Sequence, residues 1–131
     1  QLTETDMTIL FRSLSTIQEP DSNHLTPAFY KEEEIPKNEW NSWLNRWWDR
    51  VDGRPDRESM LNANPKYVLR NWMAQLAIDA AEKEDYSVAK ALYEMLKKPY
   101  DEQPGNEEKW FSRRPEWARN RVGCSMLSCS S

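Results

Sequence analysis

The sequence predicts an all-α protein, and three observations carry that expectation. Apolar residues recur at three- and four-residue spacing through much of the chain, the period of a helix with one buried face. Little of the chain alternates with a period of two, as a half-buried strand would. Three glycines against eight prolines suggest helices punctuated by prolines.

The first helix is expected over residues 4 to 17, with Met7, Leu10, Phe11, Leu14 and Ile17 on one face and Thr3 or Thr5 as its cap. Residues 18 to 37 hold Pro20, Pro27, Pro36 and the acidic run Glu32-Glu33-Glu34, so they read as a loop with at most one short turn near Thr26–Tyr30. A loop of that length is unusual in a compact domain and suggests a segment wrapped over a surface outside this chain. Asn38 is expected to cap a helix carrying Trp40, Trp43, Leu44, Trp47, Trp48 and Val51 at helical spacing. Asp52-Gly53-Arg54-Pro55 breaks it, and Asp56 to Leu61 fits a short helical turn.

The centre of the chain reads as a helical hairpin. Asn64 is a good N-cap, and Pro65 suits the first helical position, where its missing N–H costs nothing. Leu69, Trp72, Met73, Leu76 and Ala80 then form one stripe, and Ala74, Ala77, Ala80 and Ala81 allow close helix approach. The apolar signal stops around Glu82 to Glu84. Asp85 can cap a second helix with Val88, Leu92, Met95 and Leu96 buried, which Pro99 ends. Beyond it, a loop through Asn106, a short helix over Glu107–Ser112 and a turn at Pro115–Ala118 precede a tail from Arg119 expected to be extended. The division follows: residues 1–118 as a helical region, 119–131 as a mobile tail carrying cysteine.

Charge and composition narrow the function. With 22 acidic against 18 basic residues the net charge is −4, which gives no general attraction to nucleic acid or anionic membrane. No run approaches the ~20 apolar residues of a membrane span, and no signal-peptide pattern opens the chain, so a soluble protein is expected. A chain that starts on Gln1 rather than Met is expected to be a piece of something longer. Both cysteines lie in the last eight residues, which is no disulfide framework.

Few residues invite a chemical role. Four of the seven tryptophans crowd into residues 40 to 48 beside Arg46 and Arg50, a pattern that could stack on bases. Their helical stripe reads better as core or interdomain contact. His24, the only histidine, reads as an exposed loop residue, and one His with two distant Cys cannot complete a tetrahedral zinc site. The acidic runs lack a calcium-loop pattern and read as solvated faces. There is no phosphate-binding loop and no kinase catalytic-core segment, so no catalytic, cofactor or metal residue is assigned in this chain. Lys66, Arg70, Lys97, Lys98, Arg113 and Arg114 read as helix-surface cations, with Arg70 placed to be buried as a structural link. Cys124 and Cys129 are the groups with intrinsic reactivity, since an accessible terminal thiolate oxidises readily.

Asn64-Pro65, Tyr67-Val68-Leu69-Arg70-Asn71, Ala74-Gln75, Ala77-Ile78, Ala80-Ala81-Glu82 and Asp85-Tyr86-Ser87, then Lys98-Pro99-Tyr100-Asp101-Glu102-Gln103-Pro104 and the terminal Ser128-Cys129-Ser130-Ser131, resemble in order the C-terminal region of the selenoprotein O family. The resemblance is firm over about residues 56 to 131 and loose around Asp6-Met7-Thr8 and Phe11–Ser15. It implies a kinase-like protein adenylyltransferase that moves AMP from ATP onto Ser, Thr or Tyr hydroxyls with Mg2+ or Mn2+. Those active-site motifs would lie upstream. This chain alone would be inactive and hold no cofactor; it would pack on the large lobe of the kinase-like fold. Its partners would be that upstream core and protein substrates, with no nucleic acid and no membrane. The location implied is cytoplasmic in a bacterium and mitochondrial in a eukaryote. The resemblance also assigns Cys129, at the family's Cys or selenocysteine position, a redox role, with Cys124 less suited. A Cys124–Cys129 bridge stays open, since Gly123–Leu127 departs from the family pattern. The alternative is a stand-alone helical interaction module with an aromatic docking face.

Overall fold

The structure, a computed structural model, describes residues 4 to 124. Among these the chain forms six α-helices and three 3-10 turns, with no strand beyond an isolated bridge between Thr5 and Phe29. The all-α expectation holds. The chain divides into two compact units, Gln1–Pro65 and Lys66–Ser131.

The first unit opens with α1, Met7–Leu14, capped by Asp6, whose carboxylate accepts the Ile9 N–H at 3.1 Å. Neither Thr3 nor Thr5 is the cap. Asp6 is held in place because its own N–H donates to the Ala28 carbonyl at 2.7 Å. The helix also buries a face that differs from the expected one. Ile9, Leu10 and Leu14 are buried, whereas Met7 and Phe11 stay largely exposed.

Residues 18 to 37 form two 3-10 turns, Ser22–Ala28 and Glu32–Glu34, rather than one short turn. Leu25, Ala28 and Phe29 are fully buried, so the segment supplies core to its own unit. Its apolar residues lack helical spacing because a proline-rich 3-10 path places them.

Next, α2 spans Lys37–Arg50. It starts behind Pro36 with no side-chain cap, and Asn38 lies inside it, so the expected cap is corrected. Pro36 serves because its fixed φ suits a helix start and two N–H groups reach its carbonyl. Of the aromatic stripe only Leu44 is fully buried; Trp43 is 40% exposed. Gly53, at φ +63°, turns the chain where a Cβ would meet the Trp48 indole nitrogen at 3.2 Å.

The last helix of this unit, α3, spans Arg57–Ala63, capped by Asp56. Its C-terminal carbonyls find a buried cation: Arg12 Nη1 donates to Leu61 O at 3.0 Å and Asn64 O at 2.8 Å. Asn64 therefore closes α3 rather than opening the next helix.

The second unit begins with an extended stretch, Lys66 to Arg70, where the sequence suggested helix. The N–H groups of Lys66 and Tyr67 both donate to the Pro99 carbonyl, at 2.9 and 3.1 Å, which withdraws them from any helix. So α4 runs only Asn71–Ala81, and Leu69, 48% exposed, falls outside its stripe. Trp72 and Met73 are buried as the spacing indicates.

After a turn in which Glu84 takes φ +62°, α5 spans Ser87–Leu96. Asp85 accepts the Ser87 N–H and hydroxyl, one position ahead of the structural cap Tyr86. Then α6 runs Pro104–Trp110, three residues earlier than expected, since Pro104 sits at the favoured first position. A 3-10 turn follows at Glu116–Ala118. Tyr67, Trp72, Met73, Leu92, Met95, Trp110, Ala118 and Cys124 make one core.

Candidate functional site

Three places hold the residues that the sequence singles out. The first is the junction of two segments that carry the family resemblance, residues 64 to 71 and 98 to 104. Lys66 is 3% exposed, and its ammonium donates to Glu102 at 2.8 Å and Glu107 at 2.7 Å. It lies over the Phe111 ring at 5.2 Å as well. Burial alone would pull its pKa down, but the bonds to Glu102 and Glu107 outweigh that and raise it.

Tyr67 donates its hydroxyl to the carbonyls of Glu102 and Gln103, at 2.8 and 3.0 Å. Gln103, in the left-handed region at φ 42°, turns its amide onto the Met95 and Lys98 carbonyls and so closes the end of α5. The arrangement clamps α4, α5 and α6 together. It is structural chemistry. By sequence Lys66 is expected to be a surface cation; its partners lie 36 and 41 residues away, beyond any local signal. Arg70 is buried and engaged, in line with its reading as a structural link.

The second place is the approach to the C-terminal cysteine. Arg121 grips Asp79 with two bonds, 2.7 and 2.9 Å, and Gln75 donates to the same carboxylate at 2.9 Å. The hydrogen bonds from Arg121 and Gln75 hold the Asp79 carboxyl below its usual range. Gly123, at φ +88°, lets the chain pass Gln75, where a Cβ would meet the amide oxygen at 3.3 Å. Cys124 is then a fully buried free thiol. Residues 119 to 124, expected as part of an extended tail, are thus fastened to α4. Cys129 lies outside the described residues.

The third is the aromatic ladder of α2. Trp43 and Trp47 stack at 6.4 Å with planes 2° apart, and Trp40 meets Trp43 edge-on at 6.1 Å. Arg46 and Arg50 flank it. The rings are half-buried at best, so in this unit they are a face rather than a core. His24 is also half-exposed, 3.7 Å from the Glu19 carboxylate.

Among the described residues no group of three or more His, Cys, Asp or Glu is placed to hold a metal ion. No helix among them is long and apolar enough to cross a membrane.

Comparison with known proteins locates the chain. It is 53% identical over 144 aligned positions to the protein nucleotidyltransferase YdiU of Flavobacterium johnsoniae, covering all of this chain and 27% of that protein. It is 47% identical to the protein of that name from Aromatoleum aromaticum, over 98% of this chain and 26% of the relative. The Rhodopirellula baltica protein of the same name is 46% identical, over the whole of this chain and 28% of the relative. The chain thus spans about a quarter of the length of the relatives it matches. No family model matches it.

Proposed function

The chain corresponds to the C-terminal region of the selenoprotein O family, and from that premise we propose that it completes a protein adenylyltransferase. In this reading the full-length protein moves AMP from ATP onto Ser, Thr or Tyr hydroxyls of other proteins. ATP and Mg2+ or Mn2+ belong to a kinase-like core upstream, and the helices described above pack on its large lobe. The observation that carries the reading is the name protein nucleotidyltransferase, shared by relatives 46–53% identical to this chain. The competing module reading has less support, because each of these relatives is about four times as long.

Within that enzyme, Cys129 is a redox group. The fastened segment ending at Cys124 supports this, because it gives the tail a fixed origin beside α4. Five residues of chain span at most about 18 Å, which bounds where the Cys129 sulfur can act. Its partner is a thiol of the kinase-like core. The two thiols lose two electrons and two protons to an oxidant such as glutathione disulfide. Buried Cys124 is poorly placed for the same chemistry.

Labelled ATP, Mg2+ or Mn2+ and protein acceptors test the enzymatic reading. Full-length protein should transfer AMP, and the 131-residue chain alone should not. Transfer by the short chain, or none by the long one, overturns the assignment. Mass mapping of oxidised full-length protein tests the thiol: a disulfide from Cys129 to the core is expected, lost in Cys129→Ser with ATP binding spared. A Cys124–Cys129 bridge, or two free thiols, rules it out.

A further inference from the structure

A groove of about 610 Å³ runs along the first unit between α1 and α2. Leu10, Phe11 and Leu14 form one wall, Trp40 and Trp43 the other. The walls are mostly apolar, yet Phe11 is 44% exposed and Met7 beside it 49%. Large apolar side chains left in water along one helix face mark a surface that another element covers.

The rim carries charge in a definite order. Glu39 and Arg46 both line the groove and are seven residues apart on α2, two turns or about 10.5 Å. Neither has an ion-pair partner among the described residues. An occupant matching this groove has an apolar stripe, a basic residue opposite Glu39 and an acidic residue opposite Arg46, two turns away. Those are the features of an amphipathic helix.

We infer that the occupant is an amphipathic helix from the preceding part of the same polypeptide. The inference rests on the reading of this chain as the C-terminal part of a longer protein, whose relatives carry roughly three quarters of their length outside the match. One wall of the groove is α1, which starts at Met7, one turn before the groove residues Leu10 and Phe11, so the groove lies close along the chain to its first described residues. A tethered helix arriving there is held at high effective concentration with a short loop to close. A second copy would have to give up its translational freedom to do the same.

The test uses the full-length protein with the photocrosslinker p-benzoylphenylalanine in place of Ser42, a groove residue, and a control with it in place of Asn62, exposed on α3. The Ser42 position should crosslink to a peptide preceding Gln1, with a yield unchanged on hundredfold dilution, and the Asn62 position should not. An adduct that falls away on dilution assigns the groove to a second copy. A crosslink confined to residues 1 to 131, or no adduct at all, leaves no helix from upstream in the groove; each of these results overturns the inference. Arg46→Glu, checked for unchanged helicity, should cut the Ser42 yield at least threefold, and an unchanged yield refutes the charged bracket. Nucleotidyl transfer is measured on the same samples, so the loss of one reading is distinguishable from the loss of the other.

Discussion

Trp72 offers the sharpest test of the second unit because its ring and its N–H pull in opposite directions. It is 3% exposed and stacks on Trp110 with centroids 5.9 Å apart and planes 26° from parallel. Its indole nitrogen is buried with no hydrogen-bond partner among the described residues. Trp72→Ala removes the whole ring and leaves a cavity, which costs roughly 3–5 kcal/mol. About 0.5–1.5 kcal/mol of that belongs to the aromatic pair. The unpaired N–H already costs about 1–3 kcal/mol in the native protein. Trp72→Phe deletes that donor, keeps a ring against Trp110 and empties only part of the volume. Its net effect should therefore lie within about 1 kcal/mol of the parent, the cavity term and the recovered desolvation nearly cancelling. Urea unfolding of the 131-residue chain, followed by far-ultraviolet circular dichroism, gives both numbers at once. If Phe proves as costly as Ala, the indole N–H has a partner and the reasoning fails. If Ala costs nothing, Trp72 is not a core residue.

Two further perturbations address the clamps around this core. The Asp79 carboxyl has a folded pKa below its unfolded value, so the Arg121 pair stabilises the fastened segment at neutral pH. That contribution should be fully present above the ordinary carboxylate range and be lost progressively as pH falls through that range to the depressed folded value. Amide-exchange protection factors over residues 121 to 124, taken against the intrinsic rate at each pH, should fall in acid in the parent and be low at every pH in Arg121→Ala; equal protection in both proteins at neutral pH would falsify the anchoring role. Lys66 has a raised pKa, so its stabilisation should be present below the ordinary lysine range and lost as pH climbs through the folded value. Lys66→Met keeps the stem and removes the charge. Because Glu102 and Glu107 stand mostly in water and can be rehydrated, the loss should be about 2–3 kcal/mol rather than the full cost of a broken buried pair. Urea unfolding checks it, and a change under 1 kcal/mol would place Lys66 outside the clamp.

What the sequence by itself determined is what local periodicity and local chemistry encode. Trp72 and Met73 on α4, Leu92 and Met95 on α5 and the stop at Pro99 follow from a 3.6-residue repeat and from proline's missing N–H, and they stand in the structure. The ordered motifs over residues 64 to 104 likewise led to a family whose relatives match the chain end to end. Tertiary structure decided wherever a polar group found a partner far along the chain. Asn64-Pro65 has the chemistry of a helix start, but the Pro99 carbonyl takes the next two N–H groups and delays α4 to Asn71. Lys66 looks like a solvated cation until Glu102 and Glu107 close on it, and Arg12 until the end of α3 needs its charge. The α2 tryptophans lie on a faultless stripe and still face outward, because a stripe says that a face will be covered and not by what. Hydrogen bonds and burial between residues tens of positions apart leave no periodic trace, so only the folded chain assigns them.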